Sequence, residues 1–79
     1  KAAAEQKKSN GNRMVAERNY PEAIKLYTEA IELDGKNAVY YANRAAAYTQ
    51  QGAHDKAVDD AKKALEIDPK YSKAYSRMG

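Results

Sequence analysis

The chain has 79 residues, of which 32% are charged and none is cysteine, and its net charge is +3. A chain of this length forms one small domain at most, and without cysteine it has neither disulfides nor thiolate metal sites to support a small core. The mild positive charge favours acidic partners but is too small to indicate nucleic-acid binding, and no apolar run approaches the roughly 18 residues of a membrane-spanning helix.

The segments along the chain carry helical periodicity, and strand signals are absent. In PEAIKLYTEAIELDG apolar residues recur every three or four positions, with Pro21 at the first turn and Gly35 just past the end. The segment HDKAVDDAKKALEIDP repeats this pattern. We therefore predict an all-α protein, with the last helix cut off at Gly79. The predicted helices span about 2–17, 21–34, 38–51, 55–68 and 72 onward.

The two patterned segments align at a fixed offset of 34 residues. Ala23 matches Ala57 and Ala30 matches Ala64, while Gly11, Ala45 and Gly79 share one further repeat position. Small residues at these positions allow paired helices to approach closely, and neighbouring pairs must stack to bury their apolar faces. Helix–turn–helix units of this length are typical of tetratricopeptide repeats.

The residues that carry this resemblance are clearest in the second unit, where the family pattern of a small residue, Tyr, Ala, Ala and Pro is met by Ala45, Tyr48, Ala57, Ala64 and Pro69. The first unit departs from the pattern, because Gly35 replaces the terminal proline and Lys7 stands where an apolar residue is usual. The chain nevertheless resembles tetratricopeptide repeat proteins over its whole length.

That resemblance implies a superhelix of antiparallel helix pairs, with two full repeats and the start of a third. The expected units are about 4–37, 38–71 and 72–79. The stretches YYANRAAAY and DPKYSKAYSRMG are similar to repeats of the small glutamine-rich tetratricopeptide co-chaperones, especially fungal ones.

The resemblance also implies a carboxylate clamp, which is a set of basic and amide side chains that hold the free carboxyl end of a partner. The five matching positions are Lys8, Asn12, Asn43, Lys73 and Arg77. In the family, the residues that match Lys8, Asn12 and Asn43 grip mainly the terminal carboxylate. The residue that matches Lys73 also reaches the end of the peptide, and the one that matches Arg77 reaches toward acidic or backbone groups further upstream in the peptide. Residues four apart share a helix face, and lysine and arginine donate charge-assisted hydrogen bonds, while asparagine donates without adding charge.

Several neighbouring residues have other expected roles. Glu5 is the one acid at one-turn spacing from these cations. Arg44 is expected either to form a structural ion pair or to lie on the outer face. Aromatic and sulfur side chains are expected to pack in the core or between helices: Met14, Tyr27, Tyr41, Tyr48 and Tyr75. Some apolar contact with a bound peptide is still expected, either from Ala46 and Ala47 or from Tyr27.

Functionally, the resemblance implies a cytoplasmic co-chaperone adaptor that binds the acidic tail of cytosolic heat-shock chaperones, which ends in Glu-Glu-Val-Asp. It implies no catalysis, cofactor, metal, nucleic acid or membrane insertion. Targeting factors for tail-anchored membrane proteins are further expected partners, through segments outside this chain. The alternative is a structural repeat that binds an internal helix or another subunit. An enzyme would need a nucleophile or metal ligands, and the single histidine, His54, has no such arrangement around it.

Overall fold

A computed structural model describes residues 2–69 as four α-helices. They are α1 (Ala2–Ala16), α2 (Tyr20–Leu33), α3 (Ala38–Gln50) and α4 (His54–Ile67). Each predicted end agrees to within one residue, and the all-α prediction is confirmed. The fifth predicted helix, from residue 72, lies outside the described residues.

The helices form two stacked pairs. Helix α1 packs against α2 and α3 packs against α4, while α2 and α1 both also contact α3. Within residues 2–69, no helix combines the length and apolar composition that crossing a membrane requires.

The core of the described residues is built mainly from alanine. Its buried hydrophobic residues are ten alanines and two tyrosines, Tyr27 and Tyr40. Gly11 is buried as well, and a Cβ placed there would lie 2.6 Å from the Tyr27 ring. The prediction that small residues let the helices approach closely is therefore confirmed. It holds at Gly11, Ala23, Ala30, Ala45, Ala57 and Ala64.

Helices α1 and α3 end with the same backbone motif. Arg18 and Gly52 follow them with positive φ angles of 63° and 81°. In each case the next residue's N–H bonds a carbonyl five residues earlier, from Asn19 to Met14 and from Ala53 to Tyr48. This is the Schellman motif, which closes a helix with one residue in the left-handed conformation.

Arg44 connects the two helix pairs through one ion pair within the second pair and one hydrogen bond to the first. The Arg44 guanidinium of α3 donates to both carboxylate oxygens of Asp60 on α4, each at 2.7 Å, and to the Thr28 hydroxyl of α2 at 3.0 Å. Its charge also lies over the rings of Tyr41 and Tyr48. The bond to Asp60 raises the pKa of Arg44. Of the two predicted roles for Arg44, the structural ion pair is confirmed.

Candidate functional site

Asn12 is the part of the candidate site that a buried tyrosine orients. The Tyr27 hydroxyl donates a 2.5 Å hydrogen bond to Oδ1 of Asn12, while the Tyr27 ring is buried under α1. This bond fixes the amide so that its Nδ2 group remains a donor with no hydrogen bond within residues 2–69. Asn12 itself is exposed. An amide held in this way can donate to a ligand without first losing rotamer freedom.

Lys8 lies one turn before Asn12 on α1 and is linked to α3 through an acid. Its ammonium is 3.0 Å from Oε1 of Glu5, and Oε2 of Glu5 accepts a 2.6 Å hydrogen bond from the Tyr40 hydroxyl. We call these three residues the Tyr40–Glu5–Lys8 network. The expectation that Glu5 is the acid close to the candidate cations is confirmed for Lys8.

The contacts of this network shift the pKa values of Glu5 and Tyr40 in opposite directions. The pKa of Glu5 is lowered, first because the Tyr40 hydroxyl bonds its carboxylate and then because Lys8 lies beside it. Burial raises the pKa of Tyr40 to about 12, and the bond to Glu5 adds to this shift. At neutral pH the Tyr40 phenol is therefore neutral and Glu5 is a carboxylate.

Asn43 lies on the side of α3 that is turned toward the first helix pair. Tyr40 and Ala47 flank it at one-turn spacing; Tyr40 packs with Ala4 of α1, and Ala47 packs with Tyr27 of α2. The Asn43 side chain is half-buried, forms no hydrogen bond within residues 2–69, and its amide atoms remain accessible. It is therefore available to a ligand beside α1.

The structure thus places three of the five predicted clamp residues, Lys8, Asn12 and Asn43, on the neighbouring helices α1 and α3. Lys73 and Arg77 lie outside the described residues.

The predicted apolar contacts need correction. Tyr27 and Ala47 are 2% and 0% exposed, so neither can touch a peptide. The packing role predicted for Tyr27 is confirmed, because it lies in a core cluster with Ala23 and Ala47. They form the packing beneath the site, because α1, α2 and α3 meet there through small side chains. Ala46 is half-buried and keeps some surface.

The sequence did not lead us to predict the supporting roles of the two buried tyrosine hydroxyls and of Asp60. A signal existed: the chain has seven tyrosines and no phenylalanine, although a purely apolar core would favour phenylalanine. Buried tyrosine usually brings its hydroxyl to a polar partner. No group of His, Asp or Glu residues in the described part of the chain could hold a metal ion.

Family models match most of the chain. A model described as "TPR repeat" covers residues 11–52, and one described as "Tetratricopeptide repeat" covers residues 38–71. The chain belongs to the tetratricopeptide repeat family. The match over residues 38–71 contains α3 and α4, whereas the match over residues 11–52 begins within α1 and ends after α3.

Two curated relatives show which members of the family are similar. The chain is 54% identical over 78 residues to small glutamine-rich tetratricopeptide repeat-containing protein 2 of Mycosarcoma maydis, covering 99% of this chain and 22% of the relative. It is 51% identical over 72 residues to the heat-shock protein cognate (HSC) co-chaperone sgt12 of Aspergillus fumigatus, covering 91% and 21%. The chain therefore spans about a fifth of the length of these relatives.

Solved structures agree with the fold and show what similar domains bind. The Sgt2 TPR domain from Aspergillus fumigatus has a TM-score of 0.92 and 48% identity, covering 95% of this chain and 50% of that one. The first TPR of Spaghetti, bound to the HSP90 peptide SRMEEVD, has a TM-score of 0.95, 35% identity and coverages of 98% and 63%. The TPR2B domain of yeast Sti1, in complex with an Hsp70 peptide, has a TM-score of 0.96, 35% identity and coverages of 99% and 62%.

Proposed function

We propose that this protein is a co-chaperone adaptor that binds the acidic carboxy-terminal tail of heat-shock chaperones, of the Glu-Glu-Val-Asp type, through a carboxylate clamp. The observation that carries the proposal is the accessible Asn43 amide, which forms no hydrogen bond within residues 2–69 and lies on the helix next to Lys8 and Asn12. The similar domains with bound HSP90 and Hsp70 peptides support the choice of ligand.

The donors match the chemistry of a chain-terminal aspartate, which carries a backbone carboxylate and a side-chain carboxylate. Lys8 supplies an ammonium with three donors, and the Nδ2 groups of Asn12 and Asn43 supply neutral donors. An asparagine amide donates a hydrogen bond to the ligand's carboxylate but carries no charge. It therefore adds no repulsion between the cations of the proposed clamp. Lys73 and Arg77 complete the proposed clamp from the third repeat.

The expected affinity is moderate. Hydrogen bonds to charged groups contribute about 1.5–3 kcal/mol each, so five give roughly 7–15 kcal/mol before the cost of association. That cost is about 4–15 kcal/mol. The net gain is therefore much smaller than the gross sum, and we expect a short tail to bind in about the micromolar range, with fast exchange.

We extend the proposal to the repeat units and to the place of the protein in the cell. The repeat units at about 4–37, 38–71 and 72–79 form the binding module, and the protein acts in the cytoplasm without catalysing a reaction. By analogy with the co-chaperones it resembles, it contributes to the targeting of tail-anchored membrane proteins through segments beyond this chain.

The decisive test is to block the ligand's terminal carboxylate. The full chain is titrated calorimetrically with the peptide SRMEEVD and with the same peptide amidated at its carboxyl end. We expect amidation to weaken binding at least tenfold, because it removes the group that the clamp holds. Equal affinity for both peptides would contradict the clamp and favour a structural repeat that binds an internal helix or another subunit.

A further inference from the structure

We infer that Glu5 sets the affinity of this site by competing with the ligand's carboxylate for Lys8. The inference rests on the proposed function and adds a residue that is not one of the five clamp positions. Glu5 thus becomes an affinity-determining residue of the site.

The Glu5 carboxylate is held in place on both sides. Oε1 contacts the Lys8 ammonium at 3.0 Å, and Oε2 accepts from the Tyr40 hydroxyl at 2.6 Å. Tyr40 is 1% exposed, so its hydroxyl is fixed by the core. A carboxylate that is anchored by a buried group stays beside Lys8 instead of moving away when a ligand arrives.

The negative charge of Glu5 repels a carboxylate that binds Lys8. A ligand carboxylate that bonds the Lys8 ammonium lies roughly 6 Å from the Glu5 carboxylate, the span of two hydrogen bonds. At a solvated surface, two like charges at this distance weaken binding by about three- to tenfold. The benefit of Glu5 in orienting Lys8 is smaller, because an exposed pair at this helical spacing changes an equilibrium about twofold at most. Competition therefore outweighs orientation.

Glu5 occupies a repeat position at which the proposed clamp has a cation in another repeat. Glu5, Val39 and Lys73 are separated by 34 residues each, so they occupy the same position of successive repeats. The proposed clamp uses this position for a cation in the third repeat, whereas the first repeat places an acid there. The acid lowers the positive charge at the α1 side of the site.

The test replaces Glu5 by glutamine and compares it with a matched control. Glu5→Gln keeps an acceptor for the Tyr40 hydroxyl but removes the negative charge. The control is Glu29→Gln, which removes the same charge from a salt bridge of similar length, 3.1 Å, between Glu29 and Lys7. Both variants and the unmodified protein are titrated with SRMEEVD and with its amidated form, and circular dichroism confirms their helicity.

We expect Glu5→Gln to bind the free-carboxyl peptide three- to tenfold more tightly, Glu29→Gln to change affinity less than twofold, and neither to gain affinity for the amidated peptide. Unchanged or weaker binding by Glu5→Gln, or equal gains in both variants, would overturn the inference while leaving the clamp intact. A gain that persists with the amidated peptide would also overturn it, because a rearranged helix affects both peptides alike. If the unmodified protein does not distinguish the peptides, the clamp and this inference fail together.

Discussion

Two buried tyrosines support the polar residues of the candidate site. Tyr27 and Tyr40 are the largest fully buried side chains in the described part of the chain, and their hydroxyls bond Asn12 and Glu5. The rings fill the space between helices, while the oxygens orient groups at the surface. Core packing and the orientation of the ligand-binding groups therefore depend on the same side chains.

Asn43 offers the most direct test at the residue scale. Asn43→Ala is expected to weaken binding of SRMEEVD at least tenfold, because it removes a donor to the ligand's carboxylate. Helicity stays unchanged, since alanine is a better helix former than asparagine. Asn10→Ala is the control, because Asn10 is exposed on α1 and is not one of the clamp positions. A calorimetric titration in which both variants bind like the unmodified protein would remove Asn43 from the clamp.

At the scale of helices, the equivalent ends of α1 and α3 carry different residues at the position with positive φ. Arg18 and Gly52 are 34 residues apart, and both adopt positive φ. Glycine adopts this conformation readily, whereas an arginine side chain costs about 1–2 kcal/mol there. The first repeat therefore carries strain at this turn that the second repeat avoids.

Substitutions at Arg18 and Gly52 should change the stability of the domain in opposite directions. Arg18→Gly is expected to raise the free energy of unfolding by about 1 kcal/mol, and Gly52→Ala to lower it by about 1 kcal/mol. No heavy atom lies within 4 Å of the Cβ position at Gly52, so the loss reflects backbone conformation and not a clash. Urea denaturation of the two variants measures both changes. A destabilised Arg18→Gly would mean that the arginine side chain makes a compensating contact.

The helices could be predicted from the sequence because their apolar period and the 34-residue repeat depend on local spacing. The Tyr40–Glu5 bond could not, because it joins residues 35 apart and depends on how closely α1 and α3 approach. The partner of Arg44 was open for the same reason. One clue was available: Asp60 interrupts the alanine face of α4, and a buried acid needs a cation.

At the scale of the whole molecule, Arg44 joins the two helix pairs, since it contacts Asp60 of α4 and Thr28 of α2. The ion pair is largely buried, since the side chain of Arg44 is 18% exposed and that of Asp60 is 8% exposed. The cations of the proposed site come from different repeats, so a fixed stacking of the pairs is a condition for the clamp. Arg44 provides part of that fixation.

Breaking this pair should destabilise the whole domain. Asp60→Ala leaves the Arg44 guanidinium buried without its partner, and we expect a loss of about 3–5 kcal/mol in the free energy of unfolding. Glu17→Ala is the control: it removes an exposed pair with Arg13, whose side chain is 77% exposed, and should cost less than about 1 kcal/mol. Denaturant unfolding followed by circular dichroism measures both. Equal losses would show that burial of the Arg44 pair contributes nothing.

The alanine core has a thermodynamic consequence. Alanine buries little apolar area per residue, and the heat capacity of unfolding grows with the apolar area that becomes exposed. This domain should therefore have a small heat-capacity change of unfolding. Its free energy of unfolding should vary little with temperature and should cross zero at a shallow slope. With such a slope, any free energy added to the folded state moves the melting temperature far. A bound tail adds its free energy to the folded state in this way, so melting temperature is a sensitive measure of occupancy.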